Sequence, residues 1–135
     1  MYDPKDKTFA FDGPDKIDPS VLETFDYEYA GREADVEIET DEFTSVCPYS
    51  GLPDFGRLTI LYVPDKKCIE LRSLKYYLLS YRNVGIFYEH LVNRVLDDLV
   101  ACCRPKYMSV RGEFTPRGGI TTAVTAGYPS QEPAQ

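Results

Sequence analysis

The period of the apolar residues changes twice along this chain, and the order of those changes restricts the fold more than any single motif does. From Asp35 to Thr40 the sequence reads DVEIET, apolar alternating with polar, and residues 57–63 are dense in β-branched and aromatic side chains. A period of two puts every second side chain on one face of an extended strand. Leu71, Leu74, Leu78 and Tyr81 then follow helical spacing. They predict a helix over 72–82, with Ser73 and Lys75 off its apolar stripe. Asn83-Val84-Gly85 interrupts that pattern. Leu91, Val92, Val95, Leu96, Leu99 and Val100 predict a second helix from about 86 to 103, with Asn93, Arg94, Asp97 and Asp98 outward and Arg104-Pro105 ending it. Period two returns over 106–114 and 120–128, joined by a turn at Thr115-Pro116-Arg117-Gly118-Gly119.

Strand, strand, helix, helix, strand, strand is an α+β order. Two hairpins that straddle a helix pair predict a four-stranded antiparallel sheet, with the helices between strands 2 and 3 packed on one face. The edges of such a sheet stay open unless another subunit covers them.

At 135 residues, the chain is expected to hold one domain, spanning 33–128, preceded by an arm at 1–32 and followed by an unstructured tail at 129–135. The arm is broken by Asp-Pro at 3–4 and 18–19 and by Asp-Gly-Pro at 12–14. Ser20-Val21-Leu22-Glu23 has a capping-box pattern that suits a helical turn, whereas Phe25, Tyr27 and Tyr29 alternate as an extended segment does. Both readings stay open. Pro64-Asp65-Lys66-Lys67 reads as a turn and Cys68-Ile69-Glu70 as a short extended step.

A net charge of −7 argues against direct nucleic-acid binding and against an anionic membrane surface, since both need a basic face. No apolar run approaches the ~20 residues of a membrane span, and the first residues lack a signal-peptide core, so a cytoplasmic protein is expected. Cys68, Cys102 and Cys103 read as small buried hydrophobes. One histidine and no C-x-x-C pair argue against a zinc site. No G-x-G-x-x-G follows a strand, so no Rossmann domain is expected.

The chemistry points to Cys47-Pro48-Tyr49-Ser50-Gly51-Leu52-Pro53-Asp54-Phe55-Gly56. Its prolines and glycines read as a stiff turn that displays a thiol and a carboxyl outside regular structure. A core has no use for that pair, but a thiolate nucleophile with a nearby proton donor does. A free thiol with a pKa near ~8.5 is mostly protonated at neutral pH, so a neighbouring base or positive dipole is required. A carboxyl at the ordinary ~3.9 is a poor acid at pH 7, so proton donation asks for burial.

Four stretches, FTSVCPYSGLPDFG, Glu70-Leu71-Arg72-Ser73-Leu74-Lys75-Tyr76-Tyr77, FYEHLVNRVLDDLV and FTPRGGI, lie between about 34 and 128. Together they resemble, in order, the motifs of the NADPH-dependent nitrile reductases that convert 7-cyano-7-deazaguanine to 7-aminomethyl-7-deazaguanine in queuosine biosynthesis. The resemblance implies the tunnelling fold, whose units join edge to edge into multimeric barrels, and a homo-oligomer with active sites at subunit boundaries. It implies a four-electron reduction in which Cys47 attacks the nitrile to give a thioimidate and Asp54 transfers protons. Glu89 would anchor the purine-like ring, with Ile69, Glu70 and Leu71 also meeting substrate. NADPH would be held by Arg72, Ser73 and Lys75 and by Arg117-Gly118. One departure stands out: the family commonly reads Phe-His-Glu where this chain has Phe87-Tyr88-Glu89-His90. Tyr88 stands where the histidine would and would meet substrate, while His90 follows Glu89 by one helical step of ~100°; which of the two takes the histidine's role stays open. A cyclohydrolase-like enzyme of the same fold, or a non-catalytic purine-binding assembly protein, would be the alternatives; Cys47 and Asp54 together favour the reductase.

Overall fold

The structure is a computed structural model and describes residues 10–130. Its centre is one antiparallel sheet built from β2 (Val36–Val46), β3 (Pro53–Val63), β5 (Tyr107–Arg117) and β6 (Ile120–Tyr128), in the spatial order β2-β3-β5-β6. A separate two-stranded ribbon pairs β1 (Thr24–Asp26) with β4 (Lys67–Ile69), and helices α1 (Leu71–Leu79) and α2 (Tyr88–Cys103) complete the unit. The α+β order expected from the periodicity is the one observed.

The strands run further than the alternation indicated, and the reason is two bulges. β2 pairs with β3 from Val36↔Tyr62 to Val46↔Pro53, with a register shift between Thr40 and Phe43. An extra residue there reverses which positions face inward. Val36, Ile38 and Thr40 point to the core before it, and Phe43 and Ser45 after it. A strict period-two reading therefore loses the strand at Thr40. A second shift between Phe114 and Arg117 prolongs β5, so that the expected five-residue turn contracts to Gly118-Gly119. Both glycines have positive φ (57° and 78°), as a two-residue hairpin turn of this hand demands. β3 begins at Pro53, where a first strand residue gives up no needed ladder bond. Asp54, Phe55 and Gly56 consequently lie within a strand and not in the loop expected for them.

Both helices lie on the same face of the sheet. Leu58, Ile60, Tyr62, Met108 and Val110 supply the sheet side of the core, and Leu74, Tyr77, Leu91, Val95 and Leu99 the helix side. α1 starts one residue early because Glu70 caps it, accepting from the N–H groups of Arg72 (3.0 Å) and Ser73 (2.8 Å). It ends at Leu79, short of the expected 82, and α2 starts at Tyr88 instead of 86. Arg104 closes α2 in the left-handed conformation (φ 45°) ahead of Pro105.

The segment read as an arm is tied to the core in three places. A short 3-10 turn at Pro19–Val21 is capped by Asp18, which accepts from the Ser20 N–H, and not by Ser20 itself. Thr24–Asp26 is extended and pairs with Lys67–Ile69, so the turn and the extended segment both exist in succession. Further upstream, Asp12 N–H donates to Asn83 O and Gly85 N–H donates to Asp12 O, each at 2.8 Å. The Phe11 ring lies against Gly85 so closely that a Cβ there would come within 2.3 Å of it. Residues 1–9 and 131–135, the start of the arm and most of the tail, lie outside the described residues.

Three side chains expected elsewhere are recruited inward or left out. Ser73 is buried, because its hydroxyl accepts from Glu23 N–H (2.9 Å) and donates to Glu70 O (2.8 Å). Asp98, expected on the outer face of α2, accepts from Tyr77 O–H (2.6 Å) and Arg94 Nε (2.8 Å), while Tyr77 and Tyr81 hydroxyls meet at 2.7 Å. Burial pushes both phenols above their ordinary range, so they remain neutral and act as donors. Cys68 and Cys103 are buried as expected, but Cys102 is partly exposed.

The Asp98 network generates a stability contrast. Asp98→Ala strips a buried phenol of its acceptor and should cost about 1–3 kcal/mol. Asp97→Ala on the exposed face should change stability by no more than about 0.5 kcal/mol. Urea denaturation of the two variants checks this, and equal effects would contradict the network's role.

Candidate active site

Cys47 sits at the point where β2 leaves the sheet. Val46 is held on its outer side by two backbone bonds, its N–H to Val84 O (2.9 Å) and Ile86 N–H to its own carbonyl (3.1 Å). The next residues close on themselves, with Cys47 N–H donating to Leu52 O (2.9 Å) and Gly51 N–H to Cys47 O (2.8 Å). The thiol is thus carried on a rigid base and is half-buried. Burial pushes its pKa up, but the Ser50 hydroxyl and the N–H groups of Ser50 and Tyr49 outweigh that and hold it below the ordinary thiol value; the Asp54 carboxylate works against them.

Asp54 faces inward from β3 and its side chain is 5% exposed. Tyr88 O–H donates to its Oδ1 at 2.8 Å. Arg117 Nη2 reaches the same oxygen, also at 2.8 Å, and donates to Pro53 O at 2.8 Å. Thr44 Oγ1 fixes the backbone by donating to Asp54 O (2.7 Å). Among the described residues no donor is placed on Oδ2. A carboxylate held by one oxygen, with the other free, is poised to exchange a proton with a bound ligand.

Tyr88 is placed by packing. Its ring stacks on Phe114 with centroids 3.8 Å apart and planes at 7°. Phe114 fits because Gly56 and Gly112 leave room: a Cβ at either would come within 2.7–2.8 Å of the Phe114 ring. Burial first, and then the hydrogen bond to Asp54, push the Tyr88 phenol up to about 12. It is a neutral donor at pH 7. Glu89, in the first turn of α2, is exposed, and His90 is exposed as well, its ring packed edge-on against Phe87. Of the two residues flanking Glu89, Tyr88 is the one that joins the site.

The residues singled out in the sequence fall into two groups. Cys47, Asp54, Tyr88, Glu89, Arg117 and Gly118 surround the β2–β3 and β5–β6 turns and the start of α2. Ile69, Glu70, Leu71, Arg72, Ser73 and Lys75 lie around the start of α1. Ile69 N–H donates to Tyr62 Oη (3.0 Å), and Tyr62 stands eight residues beyond Asp54 on β3, roughly 26 Å of extended chain at ~3.3 Å per residue. Within one chain Ile69 and Glu70 therefore lie far from Asp54, whereas Leu71 and Lys75 line a cavity with Phe43 and Thr44. Within the second group Ile69 is buried, and the Glu70 carboxylate and Ser73 hydroxyl serve the helix start, whereas Leu71, Arg72 and Lys75 are exposed. Thr44 and Phe114 were not expected as site residues. Their signal was present, since each lies inside a stretch that also carries a site residue, but only pairing across strands reveals the contact.

The chain is similar to known proteins along most of its length. A family model described as QueF-like protein matches residues 53–133. An NADPH-dependent 7-cyano-7-deazaguanine reductase of Caldanaerobacter subterraneus subsp. tengcongensis is 56% identical over 128 residues, covering 95% of this chain and 96% of that one. A protein of the same name from Caldicellulosiruptor bescii is 57% identical over 122 residues, covering 90% and 93%. Among solved structures, an archaeosine synthase QueF-Like in the apo form superposes with a TM-score of 0.68 at 26% identity, covering 73% of this chain and 96% of that one.

The groups around Cys47 predict opposite shifts in its titration. The pH dependence of its alkylation by iodoacetamide should have a midpoint below the ~8.5 of a free thiol. Asp54→Asn removes a negative charge that raises the value, so the midpoint should fall further. Ser50→Ala removes a donor that lowers it, so the midpoint should rise. Movement of both variants in one direction would contradict this electrostatic arrangement.

Proposed function

The chain belongs to the QueF-like protein family, and from that membership we propose that it catalyses the NADPH-dependent reduction of the nitrile of 7-cyano-7-deazaguanine to the primary amine of 7-aminomethyl-7-deazaguanine, in queuosine biosynthesis. A cytoplasmic enzyme fits the formation of a precursor of a tRNA nucleoside. No helix among the described residues is long and apolar enough to cross a membrane.

The observation that carries the mechanism is the pairing of a thiol held below its ordinary pKa with a buried carboxyl that has one oxygen free. The Asp54 carboxylate takes the proton of the Cys47 thiol as the sulfur attacks the nitrile carbon and passes it to the nitrogen, giving a thioimidate. Bound NADPH supplies one hydride at each of two successive reductions. After the first, the carbon–sulfur bond breaks to release Cys47 and leave an imine; a further proton reaches nitrogen as the imine becomes the amine. Tyr88 and Arg117 hold Oδ1 throughout, which aims Oδ2 at the nitrogen. With its phenol pushed up to about 12, Tyr88 acts as an orienting donor where the family's histidine would stand.

Glu89 suits the purine anchor, because an exposed carboxylate at a helix start can accept from adjacent ring N–H and amino donors. Arg72 and Lys75 are exposed, and neither enters an ion pair among the described residues, which fits the 2′-phosphate and pyrophosphate of NADPH. Glu70 already occupies the helix N–H groups there, so the phosphates would be met by side chains. The Ser73 hydroxyl is bonded on both sides, which leaves it the smallest part in cofactor binding. Arg117, beside Gly118, keeps Nε and Nη1 for the cofactor while Nη2 holds Asp54.

The separation of the two groups of site residues along β3 supports a homo-oligomer in which Ile69-Glu70-Leu71 of one subunit meets Cys47 and Asp54 of the next. The two sheet edges, β2 and β6, carry no further strand among the described residues and are the surfaces such units would share.

Incubating the protein with the nitrile and NADPH should consume two NADPH per amine formed. A ratio of one, with imine or aldehyde accumulating, would contradict the four-electron assignment. Cys47→Ala should lose both turnover and the covalent mass adduct while keeping its circular dichroism; an adduct that persists would move the nucleophile to another thiol.

Tyr88→Phe should lower kcat by roughly 10²-fold, at the low end of the range for a group acting at a proton-transfer site, with less effect on substrate binding. His90→Ala should be mild. The reverse ranking in steady-state kinetics would give the histidine's role to His90.

A further inference from the structure

Residues 83–86, between the two helices, form the middle of a small backbone ladder. On one side Val46 donates its N–H to Val84 O (2.9 Å) and accepts from Ile86 N–H (3.1 Å). On the other, Asp12 donates its N–H to Asn83 O and accepts from Gly85 N–H, each at 2.8 Å. Both pairings are parallel. Val84 and Ile86 are buried in the core, and the Phe11 ring covers Gly85 between them. The two atoms nearest a Cβ built on Gly85 both belong to that ring, at 2.3 and 2.4 Å. The ring therefore rests directly on peptide backbone, a close approach that glycine permits. At 40% exposed, Phe11 is too open to be a core residue; what it covers is the Gly85 peptide. The segment that carries it is anchored downstream, where Ile17 is buried and Asp18 N–H donates to Ser80 Oγ (3.1 Å). The ladder borders the chemistry on both sides. Cys47 follows Val46 directly, and Tyr88, whose O–H donates to Asp54 Oδ1 at 2.8 Å, stands two residues after Ile86. Thiol and phenol thus depend on the same short segment.

We propose that Phe11 is a positioning residue for Cys47 and Tyr88, its ring clamping the backbone of residues 83–85 so that thiol and phenol keep their places beside Asp54. The catalytic consequence rests on the reductase reading above; the placement does not. Water competes for backbone bonds at an open ladder, and folding gains little from each bond that water can replace. The Phe11 ring keeps water from the Gly85 peptide. Without it the bonds between Asp12 and residues 83–85 meet solvent, and a thinly packed segment of this kind opens locally. Val46 then loses the fixed partner that holds the base of the Cys47 loop, and Tyr88 loses its fixed approach to Asp54. A proton passes from Cys47 through Asp54 to the substrate nitrogen only while the groups stay within hydrogen-bond reach. Phe11 touches none of the reacting atoms and acts through the backbone it covers. The same clamp explains why a glycine stands at 85, where an added Cβ would displace the ring.

The test is a double-mutant cycle on Phe11→Ala and Gly85→Ala, with Phe11→Tyr as the conservative variant. It is read in NADPH oxidation with 7-cyano-7-deazaguanine and in the alkylation titration of Cys47. Phe11→Ala should lower kcat about tenfold with KM within about threefold, the pattern of reacting groups held slightly out of place. Its Cys47 midpoint should rise toward the ~8.5 of a free thiol, because the Ser50 and Tyr49 donors that outweigh Asp54 depend on the fixed base of the loop. Gly85→Ala pushes the ring away from the other side and should do the same. The double variant should be no worse than either single one, since the added methyl then meets no ring. Phe11→Tyr keeps the ring and should keep most of kcat. Circular dichroism should stay native in all four variants. Wild-type kcat and midpoint in Phe11→Ala overturn the assignment, and so does a double variant in which the two losses multiply. A loss of kcat with an unmoved midpoint also overturns it, by placing the effect away from the thiol. A native spectrum lost in Phe11→Ala would make the ring a folding determinant and overturn it as well. If the wild type oxidises no NADPH with this nitrile, the reductase reading fails, and the Cys47 midpoints of the four variants still decide the placement.

Discussion

The candidate site depends on one carboxylate oxygen. Oδ1 of Asp54 receives Tyr88 from the start of α2 and Arg117 from the end of β5, while Asp54 itself belongs to β3. Three elements far apart in sequence are thereby tied at one atom. A charge buried to this degree is tolerated only when it is paired and hydrogen-bonded, so the requirement to satisfy Asp54 also dictates where α2 begins and how far β5 extends. The bulge between Phe114 and Arg117 belongs to the same constraint, because it lets β5 present Phe114 to the Tyr88 ring and still return Arg117 to the carboxylate.

Packing beneath that oxygen is equally specific. Two glycines on neighbouring strands, Gly56 and Gly112, open a space that Phe114 fills, and Tyr88 lies flat on Phe114. A phenol stands at this position, and the stacked ring gives it a defined height above the sheet. Its pKa, pushed up to about 12, keeps the proton on Tyr88 at neutral pH. A donor that cannot readily titrate suits orientation of Asp54, whereas imidazole would change charge in the physiological range.

The division of the site residues between the two ends of the sheet gives the proposed assembly its physical sense. α1 starts beside Tyr62 and the chain returns, by way of Tyr81 and Val84, to the base of the Cys47 loop. The Ile69-Glu70 step at the start of that motif therefore lies far from the thiol of its own chain. A second copy, shared across open sheet edges, would restore the juxtaposition that the proposed reaction needs.

The sequence by itself determined the order of strands and helices, the positions of most core side chains, and the identity of Cys47, Asp54 and Tyr88 as the residues to look for. Hydrophobic period and local motif are properties of neighbouring residues, and they survive without knowledge of what packs against them. Only the tertiary structure decided the rest. It extended β2 through a bulge that period counting reads as an end, and it moved Asp54 from an expected loop into a strand. It turned Asp98 and Ser73 inward to meet Tyr77 and Glu23, and it put Arg117 on the Asp54 carboxylate instead of leaving it free on the surface. Each of these outcomes is set by a partner distant in sequence, and a hydrogen bond or a close-packed ring across strands leaves no period in the chain that makes it.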